Sequence, residues 1–433
     1  MQTSFPPERL ADSHMAASEK IIRKCVHCGF CASGCPTFDL LGDELDSPRG
    51  RIYLMKTMLE TGATPTPNVV KHIDRCLSCL SCATSCPSGV DYGHLVDHGR
   101  AYIEQHYRRP FGQLLLRALL AGTLPHPRRF RLALKLAALG RPFAPLFERI
   151  APLRPLAAML ALAPRHLPAP PAAGPAVVPA PQGRVALLQG CAEPVLRPDI
   201  RSATLRLLAR CGHDVILAPG EGCCGSLVHH MGRETQALDA ARRNVDAWIA
   251  QMEGAGLDAI LVTVSGCGST IKDYGHMLRD DPAYADKAAR VSAIALDISE
   301  YLARIPLPPV STAPTITVAW HPPCSLQHGQ KVIDAPLRLL RAAGFTVRTP
   351  ANAHLCCGSA GTYNMLQPEL ARQLGARKAA AIERLAPDVV ATGNIGCMTQ
   401  IELHSGLPTV HLVELLDWVT GGPRPAALSS DPG

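Results

Sequence analysis

Short apolar runs alternate with amphipathic segments from residue 184 onward. The runs are rich in Val, Ile and Leu, and in the segments between them apolar residues recur at the three- to four-residue spacing of a helix. Strands that alternate with helices are typical of α/β units built on a parallel sheet. The predicted strands are 185–190, 214–218, 259–264, 316–320, 345–349 and 388–392, and the predicted helices are 204–210, 237–252, 336–343 and 369–385.

Residues 1–107 have helical periodicity and no comparable strand pattern. One helix is predicted from Pro48, and another after Asp91, a residue type that favours the N-cap position. The segment 167–183 has no charge, many prolines and no periodicity, which predicts a semi-rigid linker. The chain therefore divides into a helical N-terminal region and an α/β C-terminal region.

An internal repeat divides the α/β region in two. Cys191 and Cys324 are 133 positions apart, and the same interval separates two Cys-Cys-Gly-Ser strings at 223–226 and 356–359. Because further cysteines follow both strings at similar distances, we infer a duplicated domain. We predict an α+α/β multidomain fold with an α-helical domain at 1–107, a basic segment and linker at 108–183, and α/β copies at 184–310 and 311–433.

Seventeen cysteines are too many for packing alone, and a chain of 433 residues is long enough to fold without disulfides. The first 20 residues contain acids and prolines and have no apolar centre, so they do not resemble a secretory signal. No run approaches the roughly 18 apolar residues of a membrane-spanning helix. We therefore expect a cytoplasmic protein whose spaced cysteines bind metal.

Two cysteine runs share the spacing C-x2-C-x2-C-x3-C-P. In two-cluster ferredoxins three such cysteines wrap one [4Fe–4S] cube, while the fourth, next to proline, reaches the other cube. Zinc sites use two C-x2-C pairs joined by a longer loop, so zinc is the weaker alternative. The predicted ligands are Cys25, Cys28, Cys31 and Cys86 for cluster 1, and Cys76, Cys79, Cys82 and Cys35 for cluster 2.

The two runs are separated by 40 residues that include the helix predicted from Pro48. This arrangement resembles the α-helical ferredoxin module of membrane-associated respiratory iron–sulfur subunits, in which the clusters lie between helices.

A G-x-G-x-x-G string at 220–225 follows a predicted strand, which is typical of dinucleotide sites. The repeat argues against this interpretation. Ala353 and Leu355 replace its first two glycines in the second copy, while Cys-Cys-Gly remains. We expect no nicotinamide or flavin site on this chain.

The Cys-Cys-Gly repeat resembles the cysteine-rich CCG domain of heterodisulfide reductases, which implies an iron–sulfur centre at one edge of each sheet. The heterodisulfide reductase motif ends in C-x2-C, but no second cysteine follows Cys267 or Cys397, so each copy offers four thiols and not five. Buried cysteines without a redox role are the alternative, and Cys211 is expected to be one. The resemblance implies one or two further clusters, at Cys191, Cys223, Cys224 and Cys267 and at Cys324, Cys356, Cys357 and Cys397.

The positive charge is concentrated between Arg108 and Arg165. Eleven basic residues there accompany one acid, Glu148, so this segment carries +10 and the rest of the chain −3 of a net +7. Its amphipathic pattern suits a partner subunit, an anionic membrane surface or a solvated face. Nucleic acid is disfavoured because no aromatic platform accompanies the charges. The histidines near cysteines are His27, expected to hydrogen-bond to a cluster, and the weaker candidates His229, His230 and His321.

Longer strings, among them CVHCGFC, SPRGRIYLMK, LLQGCAEP, SGCGSTIKDYGHML and HLCCGSAGTYN, resemble the glycolate oxidase iron–sulfur subunits. That resemblance implies an electron-transfer subunit of an oxidoreductase complex, with no catalytic residue for hydroxyacid oxidation. It implies two FAD-binding partner subunits that oxidise glycolate to glyoxylate, and transfer of electrons to membrane quinone at the inner face of the cytoplasmic membrane.

Other functions remain open at this point. The partner complex could oxidise D-lactate or, anaerobically, glycerol-3-phosphate, because the substrate is selected on another chain. The CCG region could belong to a heterodisulfide-reductase-like thiol redox enzyme. A zinc-stabilised binding module would be colourless, whereas the two iron–sulfur interpretations predict visible absorption.

Overall fold

The computed structural model describes residues 1–170, 174 and 178–429. Its N-terminal region is helical, and each repeated segment contains a four-stranded parallel sheet. This confirms the α+α/β multidomain fold predicted from the sequence. Of the predicted linker 167–183, residues 171–173 and 175–177 lie outside the described residues.

Seven helices form the N-terminal region: α1 Pro7–Leu10, α2 Ser13–Lys24, α3 Pro36–Leu41, α4 Pro48–Thr61, α5 Pro67–Asp74, α6 Ser81–Thr84 and α7 Tyr92–His106. The start of α4 is set by Ser47, whose hydroxyl accepts the N–H of Gly50 at 3.0 Å. Asp91 caps α7, as predicted, by accepting the N–H of His94. The apolar faces of α2, α4, α5 and α7 enclose a buried core.

The basic segment forms four further helices: α8 Phe111–Thr123, α9 Pro127–Gly140, α10 Ala144–Arg149 and α11 Arg154–Leu162. Two of its arginines are internal. Arg109 and Arg117 are buried beside Asp74 and Glu104, so they join this segment to the helical domain. Among the helices of the described residues, none has both the length and the apolar composition needed to cross a bilayer.

The first α/β copy contains β1 Gly183–Leu187, α12 Glu193–Leu196, α13 Pro198–Arg210, β2 His213–Ile216, α14 Ser226–His229, α15 Glu234–Glu253, β3 Ala259–Val262, α16 Ser265–Lys272, α17 Tyr274–Met277, α18 Ala285–Ile294, β4 Ala295–Asp297 and α19 Ile298–Leu302. The second contains β5 Thr317–Trp320, α20 Asp334–Ala342, β6 Thr346–Arg348, α21 Tyr363–Leu366, α22 Pro368–Glu383, β7 Val389–Thr392, α23 Ile395–Ser405, β8 Thr409–His411, α24 Leu412–Val419 and α25 Ala426–Ser429.

The two sheets have the same topology. Their strand orders are β2-β1-β3-β4 and β6-β5-β7-β8, with every pair parallel. The register is also repeated: Val185 pairs with Ala259 in the first sheet, and Val318 with Val389 in the second. All six predicted strands are present, whereas the edge strands β4 and β8 were not predicted.

The two copies share one hydrophobic core, to which both sheets contribute. Helix α13 packs against α24, and Asp417 on α24 is buried while it accepts hydrogen bonds from Arg206 and Arg210. The imidazole Nε2 of His411, at the end of β8, lies 2.8 Å from the carbonyl oxygen of Thr263 after β3. The carboxyl ends of the two sheets are therefore held close together.

A histidine joins the helical domain to the first copy. His94 contacts Asp91 at 2.6 Å and Asp273 at 2.9 Å. Burial opposes its charge, but the hydrogen bonds to these two carboxylates raise the pKa of His94 to about 10. The bridge is therefore charged at neutral pH; its contribution to stability is fully present below the ordinary pKa of 6.5 and is lost as pH rises from there through about 10.

Candidate iron–sulfur sites

The two ferredoxin-type loops have the same backbone shape. His27 and Gly29 in the first loop have φ of 59° and 87°, and Ser78 and Leu80 at the equivalent positions of the second have φ of 49° and 61°. Three of these four residues carry a Cβ, so the loops adopt a strained left-handed conformation on both sides of the second cysteine. This curvature directs successive thiols toward one point.

The first group of cysteines surrounds a cavity of about 30 Å³. Cys25, Cys28 and Cys31 line it together with Cys86 from the second run. Burial raises the pKa of Cys31 to about 11, whereas Cys28 is exposed. A loop of three thiolates completed by a distant fourth is the donor set that a [4Fe–4S] cube requires.

The second group surrounds a cavity of about 10 Å³ and is more deeply buried. Cys76, Cys79 and Cys82 line it together with Cys35 from the first run. The structure thus brings together the two crossed sets that the sequence predicted, and Cys82 also borders the first cavity. Ligation by these eight cysteines remains a prediction.

A buried arginine lies beneath the second group. Arg51 on α4 is 1% exposed, and its guanidinium lies 3.7 Å from Cys35 Sγ. It donates to Asp46 Oδ1 at 3.0 Å and to the carbonyl oxygen of His72 at 2.7 Å. Asp46 is itself fully buried and also accepts from Arg75 at 2.8 Å. This network places the positive charge of Arg51 next to the sulfur of Cys35.

The charge has a local effect on the thiols. Burial would raise the pKa of Cys76, but the cations Arg51 and Arg100 and hydrogen bonds from Tyr92 and Ser78 lower it below its usual value. For Cys79 and Cys82 the hydrogen bond at Ser81 and the charge of Arg51 compensate too little, so burial and the neighbouring cysteines raise the pKa of both well above the usual value. The arrangement favours the thiolate of Cys76 and leaves Cys79 and Cys82 dependent on a bound cation.

In each α/β copy the four cysteines gather at the carboxyl edge of the sheet. They follow its first three strands: Cys191 and Cys324 follow β1 and β5, the Cys-Cys pairs lie in the loops after β2 and β6, and Cys267 and Cys397 lie in the first turns of α16 and α23. Parallel strands end at one edge, which explains the convergence.

The glycine of each Cys-Cys-Gly string makes the turn possible. Gly225 and Gly358 have φ of 85° and 88°. A Cβ on Gly358 would lie 2.9 Å from the carbonyl oxygen of Ala371, closer than real side chains approach. The N–H of each glycine points at the first cysteine of its pair, at 3.5 Å from Cys223 and 3.4 Å from Cys356.

The thiols of each copy are in mutual contact. In the first, hydrogen bonds from Cys191 and Cys224 lower the pKa of Cys223 well below its usual value. In the second, the sulfurs of the two contacting pairs are 3.8 Å and 3.4 Å apart: Cys324 with Cys356, and Cys357 with Cys397. Cys211 lies apart from these groups in the hydrophobic core, as expected.

The second copy also contacts the ferredoxin-type loops directly. Cys79 and Leu77 belong to one buried cluster with Cys356, against which Cys324 packs. A centre held by Cys79 and one held by Cys356 would therefore be neighbours in the protein interior.

A much larger cavity, of about 320 Å³, lies between the two copies. Seven of their eight grouped cysteines line it, all except Cys223. Apolar residues of α8, α9 and α11 close it from outside, among them Leu120, Phe130, Ala137 and Met159. Its volume is about ten times that of the first cysteine-lined cavity of the helical domain and about thirty times that of the second, so it has room for a molecule in addition to iron–sulfur clusters.

The histidines have different environments. His27 is exposed beside the first cavity. His229 and His230 both bind Asp97, each at 3.3 Å, and not a cysteine. His321 is buried among the thiols of the second copy, and burial together with the charge of Lys378 lowers the pKa of its imidazole well below the usual value. The sequence did not predict that Arg51, Asp46, Tyr92 or Lys378 would belong to a site, because it indicates only the helix or turn in which each of them lies.

Comparisons with known proteins agree with this geometry. The profile of a 4Fe-4S dicluster domain matches residues 21–90, and that of a cysteine-rich domain named CCG matches residues 185–272 and 318–402. The glycolate oxidase iron–sulfur subunit of Escherichia coli K12 is 42% identical over 96% of this chain and 98% of its own length. The chain belongs to the glycolate oxidase iron–sulfur subunit family.

Two other relatives have the same sequence identity but differ in how much of each chain is matched. A probable glycolate oxidase iron–sulfur subunit of Bacillus subtilis is 32% identical over 90% of this chain and 92% of its own length. One subunit of the fumarate reductase (CoM/CoB) of Methanothermobacter marburgensis is also 32% identical, but over only 55% of this chain and 46% of that protein.

A solved structure shares the fold. The crystal structure of a hypothetical protein from Helicobacter pylori aligns with a TM-score of 0.55 and 10% identity, covering 88% of this chain and 69% of that one.

The two matching family models describe the cofactors and domains of this subunit of the glycolate oxidase family. It has two [4Fe–4S] clusters in its N-terminal domain, followed by two cysteine-rich domains.

Proposed function

We propose that this subunit carries electrons from FAD-binding partners, which oxidise glycolate to glyoxylate, to a membrane quinone. The observation that carries the proposal is that Cys79 and Cys356 belong to one buried cluster, against which Cys324 packs, because this places the ferredoxin-type clusters next to the second CCG copy. Iron–sulfur centres supply one-electron transfer at each step. The protein's own residues position these centres and exclude water from them.

Electrons enter at cluster 1. Cys28 is the one exposed cysteine among the described residues, and Val26 and Phe30 beside it are 67% and 65% exposed. Large apolar side chains around a shallow site are typical of a protein-docking surface. A flavoprotein subunit that covers this surface brings its flavin near cluster 1, and cluster 2 lies behind it in the interior.

Electrons leave through the cavity between the CCG copies. Its lining is predominantly apolar, and Leu119 both lines it and is half exposed, so the cavity reaches the surface at α8. A lipid-soluble acceptor suits such a cavity better than a charged soluble one. The quinone binds there, next to the cysteines of both copies, and takes up two electrons one at a time and two protons from solvent to become a quinol.

The helices that close the cavity face the membrane. On α9, Leu132, Leu136 and Leu139 are 58%, 59% and 74% exposed along one side, and the cations Arg128 and Lys135 lie on that side too. Exposed leucines flanked by cations are typical of helices that lie in the plane of an anionic bilayer. The subunit is therefore peripheral on the inner face of the cytoplasmic membrane.

Replacing Leu132, Leu136 and Leu139 together with glutamine is expected to abolish binding to vesicles that contain anionic phospholipid. Each leucine contributes about 1 kcal/mol when lipid buries its exposed part, so affinity should fall at least about 100-fold. Cosedimentation with vesicles measures the change. The exposed Leu403, far along the chain on α23, provides the control, because Leu403→Gln should leave binding unchanged. Equal binding of the triple variant would rule out this face as the membrane contact.

The dependence on partner subunits has a direct test. With both FAD-binding subunits present, anaerobic addition of glycolate should bleach the visible absorption of the clusters, whereas the subunit alone should stay oxidised. Lactate and glycerol-3-phosphate are added in parallel to identify the substrate. Bleaching of the isolated subunit by glycolate at roughly 1 s⁻¹ or faster would place the oxidising site on this chain and overturn the proposal.

The alternative functions have weaker support. The lactate utilization protein A of Bacillus licheniformis is similar over only 54% of this chain, whereas glycolate oxidase relatives match nearly all of it. A thiol redox enzyme would bind a disulfide substrate at the CCG cysteines. The apolar helices that cover this cavity favour a lipid-soluble acceptor instead.

A further inference from the structure

We propose that His321 is the fifth donor of the iron–sulfur centre in the second CCG copy, and that the two copies therefore hold chemically different centres. This inference rests on the proposed function only in that it assumes an iron–sulfur centre at Cys324, Cys356, Cys357 and Cys397.

The position of His321 supports a ligand role. Its side chain is 1% exposed, and a ring nitrogen lies with the sulfurs of Cys357 and Cys397 in a group whose members are all within 4.8 Å of one another. Neither ring nitrogen has a hydrogen-bond partner among the described residues. A buried imidazole is costly when both nitrogens lack partners. Coordination of an iron at this point would remove that cost.

The first copy provides an internal comparison. The N–H of His321 donates to the carbonyl oxygen of Ala391 at 2.9 Å, and the N–H of Leu188 donates to that of Leu261 at 3.0 Å. The two residues thus occupy the same backbone position at the end of equivalent strands. Leucine has no donor atom. The first copy offers four ligands at its sheet edge, and the second offers five.

A fifth donor at His321 would also take the place of a cysteine that is present in the heterodisulfide reductase motif and absent from this chain. The chain lacks the additional cysteine with which the heterodisulfide reductase motif ends, so each copy has only four thiols. In the second copy the imidazole supplies a donor from the residue that follows β5, and not from α23. Compared with a fifth thiolate, a neutral imidazole leaves the centre less negative and its potential higher.

Pulsed electron paramagnetic resonance of the full-length protein tests the assignment. The protein is reconstituted with iron and sulfide, labelled with ¹⁵N-histidine and brought to the paramagnetic state of the CCG centre. We expect a strong nitrogen coupling in the wild type that disappears in His321→Leu, together with loss of iron to a chelator about tenfold faster or more. The first copy already has leucine at this position, so the fold accommodates it.

Two further variants complete the experiment. His321→Cys should retain iron without the nitrogen coupling, because it restores a fifth donor. His328→Leu should keep the coupling, because this ring, four residues after Cys324, contacts Thr84 and the carbonyl oxygen of His354 instead.

The outcomes separate the two layers of the proposal. If Cys357→Ser removes iron but the wild type has no nitrogen coupling, or if the coupling persists in His321→Leu, the histidine assignment is wrong while the centre stands. If Cys357→Ser leaves the iron content unchanged, the second copy holds no centre, and the assignment falls with it.

Discussion

Replacing Arg51 with methionine is expected to lower the midpoint potential of cluster 2 and to destabilise the fold. The guanidinium lies 3.7 Å from Cys35 Sγ, so its charge favours the more negative, reduced cluster. Without it the potential should fall by roughly 60 mV, a tenfold change for a one-electron couple. The loss also leaves Asp46 buried with fewer partners, at a cost of about 3 kcal/mol. Redox titration and denaturant unfolding measure the two effects.

Arg49 provides the matched control on the same helix. It pairs with Glu44 at the surface, where water screens the pair, so Arg49→Met should leave both the stability of the fold and the potential of cluster 2 nearly unchanged. Arg51→Lys should have a midpoint potential of cluster 2 close to that of the wild type, because the positive charge remains. It should lower the stability of the fold, because lysine cannot form the same fork of hydrogen bonds. An unchanged potential in folded Arg51→Met would make this arginine purely structural.

Filling the cavity between the CCG copies should stop quinone reduction selectively. Ala137 lines the cavity, so the indole of Ala137→Trp would take up part of the space that the quinone needs. We expect the rate of glycolate-dependent quinone reduction by the complex to fall at least tenfold. Reduction of a soluble dye, which can take electrons from the flavin subunits before they reach this cavity, should persist at nearly the wild-type rate.

A tryptophan at the neighbouring position provides the control, because it distinguishes filling of the cavity from a general effect of a tryptophan on this helix. Ala138 is exposed on the same helix, so Ala138→Trp should retain both activities. Iron content is measured in both variants to exclude loss of clusters. If Ala137→Trp reduces quinone normally, the acceptor site lies elsewhere on the complex.

Local spacing explains what the sequence could predict. The C-x2-C-x2-C-x3-C-P runs dictate a loop around one cube and a fourth ligand for another, and the structure groups Cys86 with the first run and Cys35 with the second. The interval of 133 residues established the equivalence of Cys191 and Cys324, and the sheet registers repeat with it. Family membership followed from the same motifs and was confirmed.

Tertiary packing decided the rest. Strands β4 and β8 have three residues each and include Asp297 and His411, so no apolar run marks them. In the sequence Arg51 is an ordinary basic residue of a predicted helix, and its burial depends on Asp46, which lies outside that helix. The buried cluster that contains Cys79 and Cys356 joins residues 277 positions apart in the sequence, and periodicity carries no information about such pairs.

The burial gradient across the ferredoxin domain bears on how the protein is damaged by air. Oxidants reach thiolates and cluster edges through solvent, and Cys28 is exposed while Cys76, Cys79 and Cys82 are buried. Cluster 1 is therefore the one that oxygen dismantles first, unless a partner subunit covers Val26 and Phe30. Assembly of the complex would then protect the cofactor as well as supply its electrons, and subunits made in excess of their partners would be the first to lose iron.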